Sequence, residues 1–551
     1  MRKTIILILI LFLNFAYSQS YRYGCVSSAD ELASEVGIKI LKEGGNAVDA
    51  AVGVGFALAV VYPQAGNIGG GGFMVIHFVG GKNTSLDYRE KAPSLASRDM
   101  YLDAAGNVIE DLSTTGSLAS GVPGSVAGML FALEKYGTMT RGDVMKYAIE
   151  LADNGFRLNS ELASSINSNR GDFSKFTGSN NIFGKKFKGG DLFVQKDLAN
   201  TLKSIRDSGK DGFYKGRVAD LIIGEMKRGG GLISYSDLEK YDVIERDVLK
   251  GTYRGYELIS MGPPASGGIC LLYLLNIAEL YDLKSTGFGT AGAIHLMVEA
   301  MRRVYADRTE FMGDADFVNV PADILTSKVY AKRRFKDFDE YHASKSDNIK
   351  HGDAYYREHM ETTHYSVADM WGNCVAITTT LNDNFGSKLV VEGAGFLLND
   401  EMDDFSSKPG TPNMYGLLGS EANAIAPNKR MLSSMTPTII FKDGKPFMIL
   451  GSPGGGRIIT AVFQTVVNMI DFNMSLKDAI NAPRFHNQWY PDEIQVESGM
   501  LDKNTKAQLI SLGHSIKDIH SFGKIDAIRF NEDGSMTGYS DSRGYGKALG
   551  Y

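Results

Sequence analysis

Apolar residues recur at helical spacing between Ser28 and Glu43, with Leu32, Val36 and Ile40 on one stripe and Gly44 at the stop. That pattern predicts a helix buried on one side. Asn46 then caps a second helix, with Asp49 in its first turn, and from Ala47 to Val60 the residues are apolar almost all round. Such a helix has no solvent face and belongs inside the protein. A glycine run from Gly69 to Gly72 follows, and Phe73–Phe78 and Ser85–Tyr88 alternate as paired strands. From about Ala119 to Met360 the pattern is mainly helical, and Ile294 to Ala306 is its clearest amphipathic stretch. After residue 361 the texture changes to hairpins. Thr363–Ala368 and Cys374–Thr380 flank Trp371-Gly372-Asn373, Ile439–Phe441 and Phe447–Leu450 flank an Asp-Gly turn, and Ala527–Phe530 and Met536–Tyr539 flank another. An apolar helix, Ile458 to Ile470, lies among them. Buried helices beside antiparallel hairpins predict sheets covered by helices on their outer faces.

Composition narrows the classes. The 551 residues are 43% hydrophobic and 22% charged, as in globular proteins, and carry a net charge of −6. Nothing in that balance suits nucleic acid or an anionic membrane surface. The first residues read separately. Arg2 and Lys3 precede the apolar run Ile5 to Leu13 and the small-residue pattern Ala16-Tyr17-Ser18, the form of a secretory signal peptide. The run is shorter than the roughly 20 residues needed to span a bilayer. Residues 1–18 are therefore expected to be removed, with a periplasmic or secreted chain starting near Gln19. Cys25, Cys270 and Cys374 form no CxxC pair and the nine histidines no HExxH, so neither a disulfide framework nor a metal site is indicated.

The segment with most chemical content is Glu361-Thr362-Thr363-His364-Tyr365-Ser366, at the boundary between the two textures. Downstream stand Thr380-Leu381-Asn382, Asn399-Asp400-Glu401-Met402-Asp403-Asp404, Pro427-Asn428-Lys429-Arg430, Leu432-Ser433-Ser434-Met435 and Gly451-Ser452-Pro453-Gly454-Gly455. Upstream stand the glycine run and Asp87-Tyr88-Arg89-Glu90. In these segments and their order the chain closely resembles the γ-glutamyltranspeptidases of the N-terminal-nucleophile hydrolase superfamily, from about residue 21 to Tyr551.

The resemblance implies a four-layer αββα sandwich built jointly by a large fragment, 19–361, and a small one, 362–551. The precursor would cut itself between Glu361 and Thr362, and the two fragments would remain together as a heterodimer. A threonine hydroxyl is a weak nucleophile, and the cut supplies a base: the new α-amino group, which ordinarily titrates at ~8. Thr380 matches the residue that orients the nucleophile. Gly454 and Gly455 match the pair whose N–H groups form an oxyanion hole ahead of a helix starting near Arg457. Arg89, Ser433 and Ser434 match groups that receive an α-carboxylate; Asn382, Glu401 and Asp404 match those that receive an α-ammonium. Arg89 and Asp404 are accordingly expected at opposite ends of the pocket. Many bacterial relatives have Gln where this chain has Glu401. Pro409 to Gly416 resembles a lid loop with Tyr415 as its aromatic. Substrates would be glutathione and other γ-glutamyl compounds, with water or amino-acid and dipeptide acceptors, and no cofactor or metal. A cephalosporin or glutaryl acylase of the same fold is the nearest alternative.

Overall fold

A computed structural model describes residues 19–177, 181–350, 362–408 and 420–551. The signal segment, Glu361 and the lid segment with Tyr415 lie outside the described residues.

Thirteen strands form the two main sheets. The first six are β1 (Gly24–Ser28), β2 (Gly71–His77), β3 (Asn83–Asp87), β4 (Ile244–Arg246), β5 (Leu249–Tyr253) and β6 (Tyr256–Ser260). The rest are β7 (Thr363–Asp369), β8 (Cys374–Thr380), β9 (Thr438–Lys442), β10 (Lys445–Gly451), β11 (Asp526–Phe530), β12 (Met536–Ser540) and β13 (Lys547–Gly550). One sheet runs β13-β1-β7-β8-β2-β3-β4 and the other β12-β11-β10-β9-β6-β5, antiparallel at every pair. The sheets face each other. Ser27 Oγ donates to Asp526 Oδ1 across the gap (2.8 Å) and Ser366 Oγ to the Asp526 carbonyl (3.1 Å).

Helices cover both outer faces. On the seven-stranded side lie α1 (Glu31–Lys42), α2 (Ala47–Val61) and α3 (Ser125–Tyr136); on the six-stranded side lie α4 (Gly267–Ala278), α5 (Ala291–Phe311) and α6 (Arg457–Ile470). This is a four-layer αββα sandwich. Every residue of α2 is buried, as its unbroken apolar character requires, and Asn46 and Asp49 close a reciprocal capping box at its start. Three hairpins after residue 361 and the one at 71–87 stand where alternation and turn chemistry placed them.

Two features differ from the sequence reading. The middle of the chain is not only helical, because β4, β5 and β6 lie within it. Charged residues (Glu245, Arg246, Lys250, Glu257) interrupt their apolar pattern, which hid them. And α5, read as amphipathic, is buried from Ile294 to Thr309 on every side. Its polar stripe carries charge into the interior, where Glu299 pairs with Arg303 (2.6 Å) and Arg334 with Asp307 (3.0 Å). Buried charges persist only when paired, so this helix wears its polar face inward for a reason.

Candidate active site

The edge at Thr362 is defined by strand alternation. His364 and Ser366 on β7 point between the sheets: a Cβ added at Gly451 on the facing β10 would lie 2.4 Å from the His364 ring, and His364 Nδ1 sits 2.9 Å from Thr378 Oγ1. Tyr365 points the other way, its hydroxyl against α2 at Gly55. Carried one step back, the period of two puts Thr362 with His364 in the inter-sheet layer and Thr363 with Tyr365 on the helix side. Of the two adjacent threonines, then, Thr362 faces the cleft. It is 5% exposed. The register Thr378↔His364 and Thr379↔Thr363 continues to bring Thr380 opposite Thr362. Burial drives the His364 pKa down to about 3, so its ring is neutral, and both nitrogens are engaged, with Thr378 and Ser366.

Thr380 Oγ1 accepts from the Asn382 N–H (2.7 Å), and Asn382 sits at φ 78 while its amide donates to the Asp400 carbonyl (3.0 Å). Asn382 thus ties the end of β8 to the acidic turn 400–404 through its Nδ2. Beneath it, the glycine run lets β2 approach. A Cβ at Gly70 would lie 2.0 Å from the Thr380 carbonyl, a collision no backbone shift of a few tenths of an ångström relieves.

Gly454 and Gly455 follow the end of β10 in the facing sheet. Their φ values of 128 and 54 lie in the left-handed region, where a side chain is strained. Their carbonyls accept from Arg457 N (3.1 Å) and Ile458 N (2.9 Å), which turns the chain into α6. Tyr305 on α5 donates its hydroxyl to the Gly456 carbonyl, pinning the turn from below.

Arg89 organises the other end. Its guanidinium is 1% exposed and lies 2.6 Å from Glu401 Oε2, 3.3 Å from Glu90 Oε2 and in direct contact with Asp404. It also donates to the carbonyls of Met431 (3.3 Å) and Leu432 (3.1 Å), the residues just before Ser433. Arg89 and Asp404 therefore touch; they do not occupy opposite ends. The reason is geometric. The α-carboxylate and α-ammonium of an amino acid share one carbon, so their receivers must be neighbours. Three carboxylates around one guanidinium leave excess negative charge in a desolvated place. Burial pushes Glu90 up to about 7, with Arg89 pulling it down only in part, and Glu401 and Asp404 are raised for the same reason. Asp404 is the open member, its side chain 18% exposed against 1% for Glu401.

Ser433 and Ser434 follow on. Ser433 Oγ accepts from Met435 N (3.3 Å) and Ser434 Oγ from Arg308 Nη2 (2.8 Å). Asp87 bonds Arg430 (3.1 Å) and Arg246 (2.9 Å), locking the strand that bears Arg89 to the loop that bears the serines. Sequence reasoning missed Tyr305 and Arg308; they lie on α5, i and i+3 on one face, and only their partners 151 and 126 residues away give them meaning. Away from this site, His295, Glu299 and His514 lie close enough together to share an ion. Yet His295 already bonds His514 and Asp339, and Glu299 bonds two buried arginines.

The family model described as gamma-glutamyltranspeptidase matches residues 33–551. The chain belongs to the γ-glutamyltranspeptidase family. It is 49% identical over 526 residues to the glutathione hydrolase proenzyme of Escherichia coli (strain K12), covering 95% of this chain and 90% of that one. The crystal structure of Helicobacter pylori γ-glutamyltranspeptidase shares 49% identity, with a TM-score of 0.57, over 59% of this chain and 94% of that one. The cephalosporin acylase of Bacillus halodurans superposes with a TM-score of 0.85 over 99% of both chains at 24% identity, a likeness of fold alone. The same sandwich thus serves this γ-glutamyltranspeptidase family and an acylase, and what separates them must be in the site.

Proposed function

We propose that this protein is an exported, self-processing γ-glutamyltransferase and glutathione hydrolase whose nucleophile is Thr362. Processing opens the peptide bond between Glu361 and Thr362 and yields a large fragment, 19–361, and a small one, 362–551. In the cut enzyme the Thr362 α-amine takes the hydroxyl proton as Oγ1 attacks the γ-carbonyl carbon. The oxyanion is received by the N–H groups of Gly454 and Gly455. The C–N bond then breaks, the amine (Cys-Gly from glutathione) leaves with the proton, and a γ-glutamyl ester stays on Thr362. Water releases glutamate; an acceptor amino acid or dipeptide takes the acyl group instead. Thr380 orients the hydroxyl, and Tyr415 in the 409–416 segment closes over the bound acyl group.

The observation that carries this reading is the touching pair Arg89 and Asp404 at the head of the cleft. A γ-glutamyl group ends in a carboxylate and an ammonium on one carbon, and such a zwitterion matches a cation and an anion side by side. A glutaryl side chain brings no ammonium and would leave Asp404 with Arg89 as its counter-charge and no substrate cation. Glu401, sealed beneath, holds Arg89 in place and adds negative charge. Export rests on residues 1–18, and no described helix is long and apolar enough to cross a membrane.

The test is a denaturing gel with N-terminal sequencing of the purified protein, followed by assays on γ-glutamyl and glutaryl anilides. Two bands, the smaller starting at Thr362, and a strong preference for the γ-glutamyl substrate support the proposal. A single band in active enzyme, or equal rates on both anilides, refutes it.

A further inference from the structure

The carboxylate end of the cleft contains a second buried guanidinium that the resemblance to the family did not single out. Arg308 is 2% exposed on α5, a helix whose polar stripe faces inward. Its Nη2 lies 2.8 Å from Ser434 Oγ and its Nε 2.8 Å from Ser266 Oγ. Ser266 in turn donates both its backbone N–H (2.7 Å) and its hydroxyl (2.7 Å) to the Ser433 carbonyl. Arg308 also exerts a small lowering pull on the Asp404 carboxyl, behind the larger effects of burial and Arg89.

The direction of these bonds is not a matter of choice. A guanidinium has donors and no acceptor. Ser434 Oγ must therefore accept from Arg308, and its own hydrogen is left to donate elsewhere. The same holds at Ser266, whose hydrogen goes to the Ser433 carbonyl. Ser433 Oγ accepts from the Met435 N–H, so its hydrogen too is turned outward. Were Arg308 neutral and able to accept, the Ser434 hydroxyl could turn its lone pairs to the cleft and repel an anion.

We propose that Arg308 is a positioning residue for substrate choice: it locks the Ser434 hydroxyl as a donor, holds the Ser433 backbone through Ser266, and so sets the preference for an α-carboxylate. This rests on the γ-glutamyl reading above. The arrangement divides labour between two buried arginines. Arg89 is held by Glu90, Glu401 and Asp404, and Arg308 bonds the Ser434 and Ser266 hydroxyls, which remain hydrogen-bond donors.

The experiment compares γ-glutamyl anilide with γ-aminobutyryl anilide, the same acyl chain without the α-carboxylate. In wild type the former should be strongly preferred in kcat/KM. Arg308→Gln should shrink that preference roughly 10- to 100-fold, the worth of a hydrogen bond to a charged group, through KM with kcat little changed. Arg308→Lys, which keeps the charge and only donors but loses the planar fork that reaches both serines, should recover part of it. In a Ser434→Ala background Arg308→Gln should cost less than it does alone, because the two act through one bond. The two-fragment gel and the thermal midpoint report folding. Equal losses on both anilides, full additivity with Ser434→Ala, or failure of both Arg308 variants to be cut would overturn the proposal. A Ser434→Ala enzyme with unchanged preference would instead sink the carboxylate assignment beneath it.

Discussion

The two ends of the cleft are built on opposite principles. At the proposed nucleophile, Thr362, the expected groups are backbone and hydroxyl: a strand register that runs on toward Thr380, an alternation that turns one threonine of the adjacent pair between the sheets, and a left-handed glycine turn proposed to supply N–H donors. The nearest ionisable ring on that strand, His364, is held neutral by burial. At Arg89 the protein uses buried charge, with Glu90, Glu401 and Asp404 gathered on one guanidinium and Arg308 close behind. In the proposed mechanism the neutral end takes its base from the new chain terminus at Thr362. The charged end exists before any cut, so recognition and reactivity are separable by mutation.

The sharpest break comes from Thr362→Ala. It should leave one uncut chain with no turnover, while the charged end still binds; glutamate should raise its thermal midpoint as it does that of wild type. An active or cut variant would show that the nucleophile lies elsewhere. Next in size is Gly455→Val, where the φ of 54 disfavours a side chain. Losing one oxyanion donor typically costs ~10²–10³ in kcat, and steady-state kinetics should show KM nearly unchanged. A normal kcat in a folded, processed variant would remove these glycines from the site.

At the other end, the glutaryl anilide should be poorer than the γ-glutamyl anilide by roughly 10- to 100-fold in kcat/KM, the scale of a lost hydrogen bond to a charged group, since Arg89 still partners Asp404 when the ammonium is missing. Asp404→Asn should narrow that gap mainly by weakening the γ-glutamyl substrate, with cutting intact. Comparable wild-type rates on the two anilides would favour the acylase.

The smallest effect is a pH dependence of KM. Glu90 is raised to about 7, and Glu401 and Asp404 are also raised, each chiefly by burial. A raised carboxyl keeps its proton to higher pH, and an incoming ammonium needs the ionised form. KM for a γ-glutamyl substrate should therefore fall several-fold as pH rises through about 7, where Glu90 ionises, and Glu90→Gln should flatten the profile. A KM that rises over that window would reverse the assignment of the proton.

Much of this was legible in the chain. The α2 helix and four hairpins follow from local pattern, because an all-apolar helix and an alternating strand pair each need only their own residues to be recognised. Thr362, Thr380, Gly454 and Gly455 were expected from the family resemblance alone, since a Thr-Thr-His-Tyr strand by itself reads only as sheet. The charged end was legible by residue and not by arrangement. Arg89 and Asp404 are 315 positions apart, and nothing local tells that they touch. The charges of α5 read as a solvated face since a polar stripe looks the same whether it meets water or buried partners; Arg308 was lost in that ambiguity. Strands β4 to β6 were missed because lysine and glutamate break their alternation, and tertiary pairing overrides such weak preference.

One topological detail bears on the lifetime of the finished molecule. In the seven-stranded sheet β1, from the start of the chain, is inserted between β13 and β7, both from beyond residue 361. Once the chain is severed at Thr362, neither piece can complete that sheet without the other. An intact precursor refolds at a rate independent of its concentration; two separated pieces must first meet, and their recovery slows in proportion to dilution. If the chain is cut as proposed, the cut ends the one occasion on which folding is unimolecular, and at high dilution the persistence of the mature protein is governed by how slowly it unfolds.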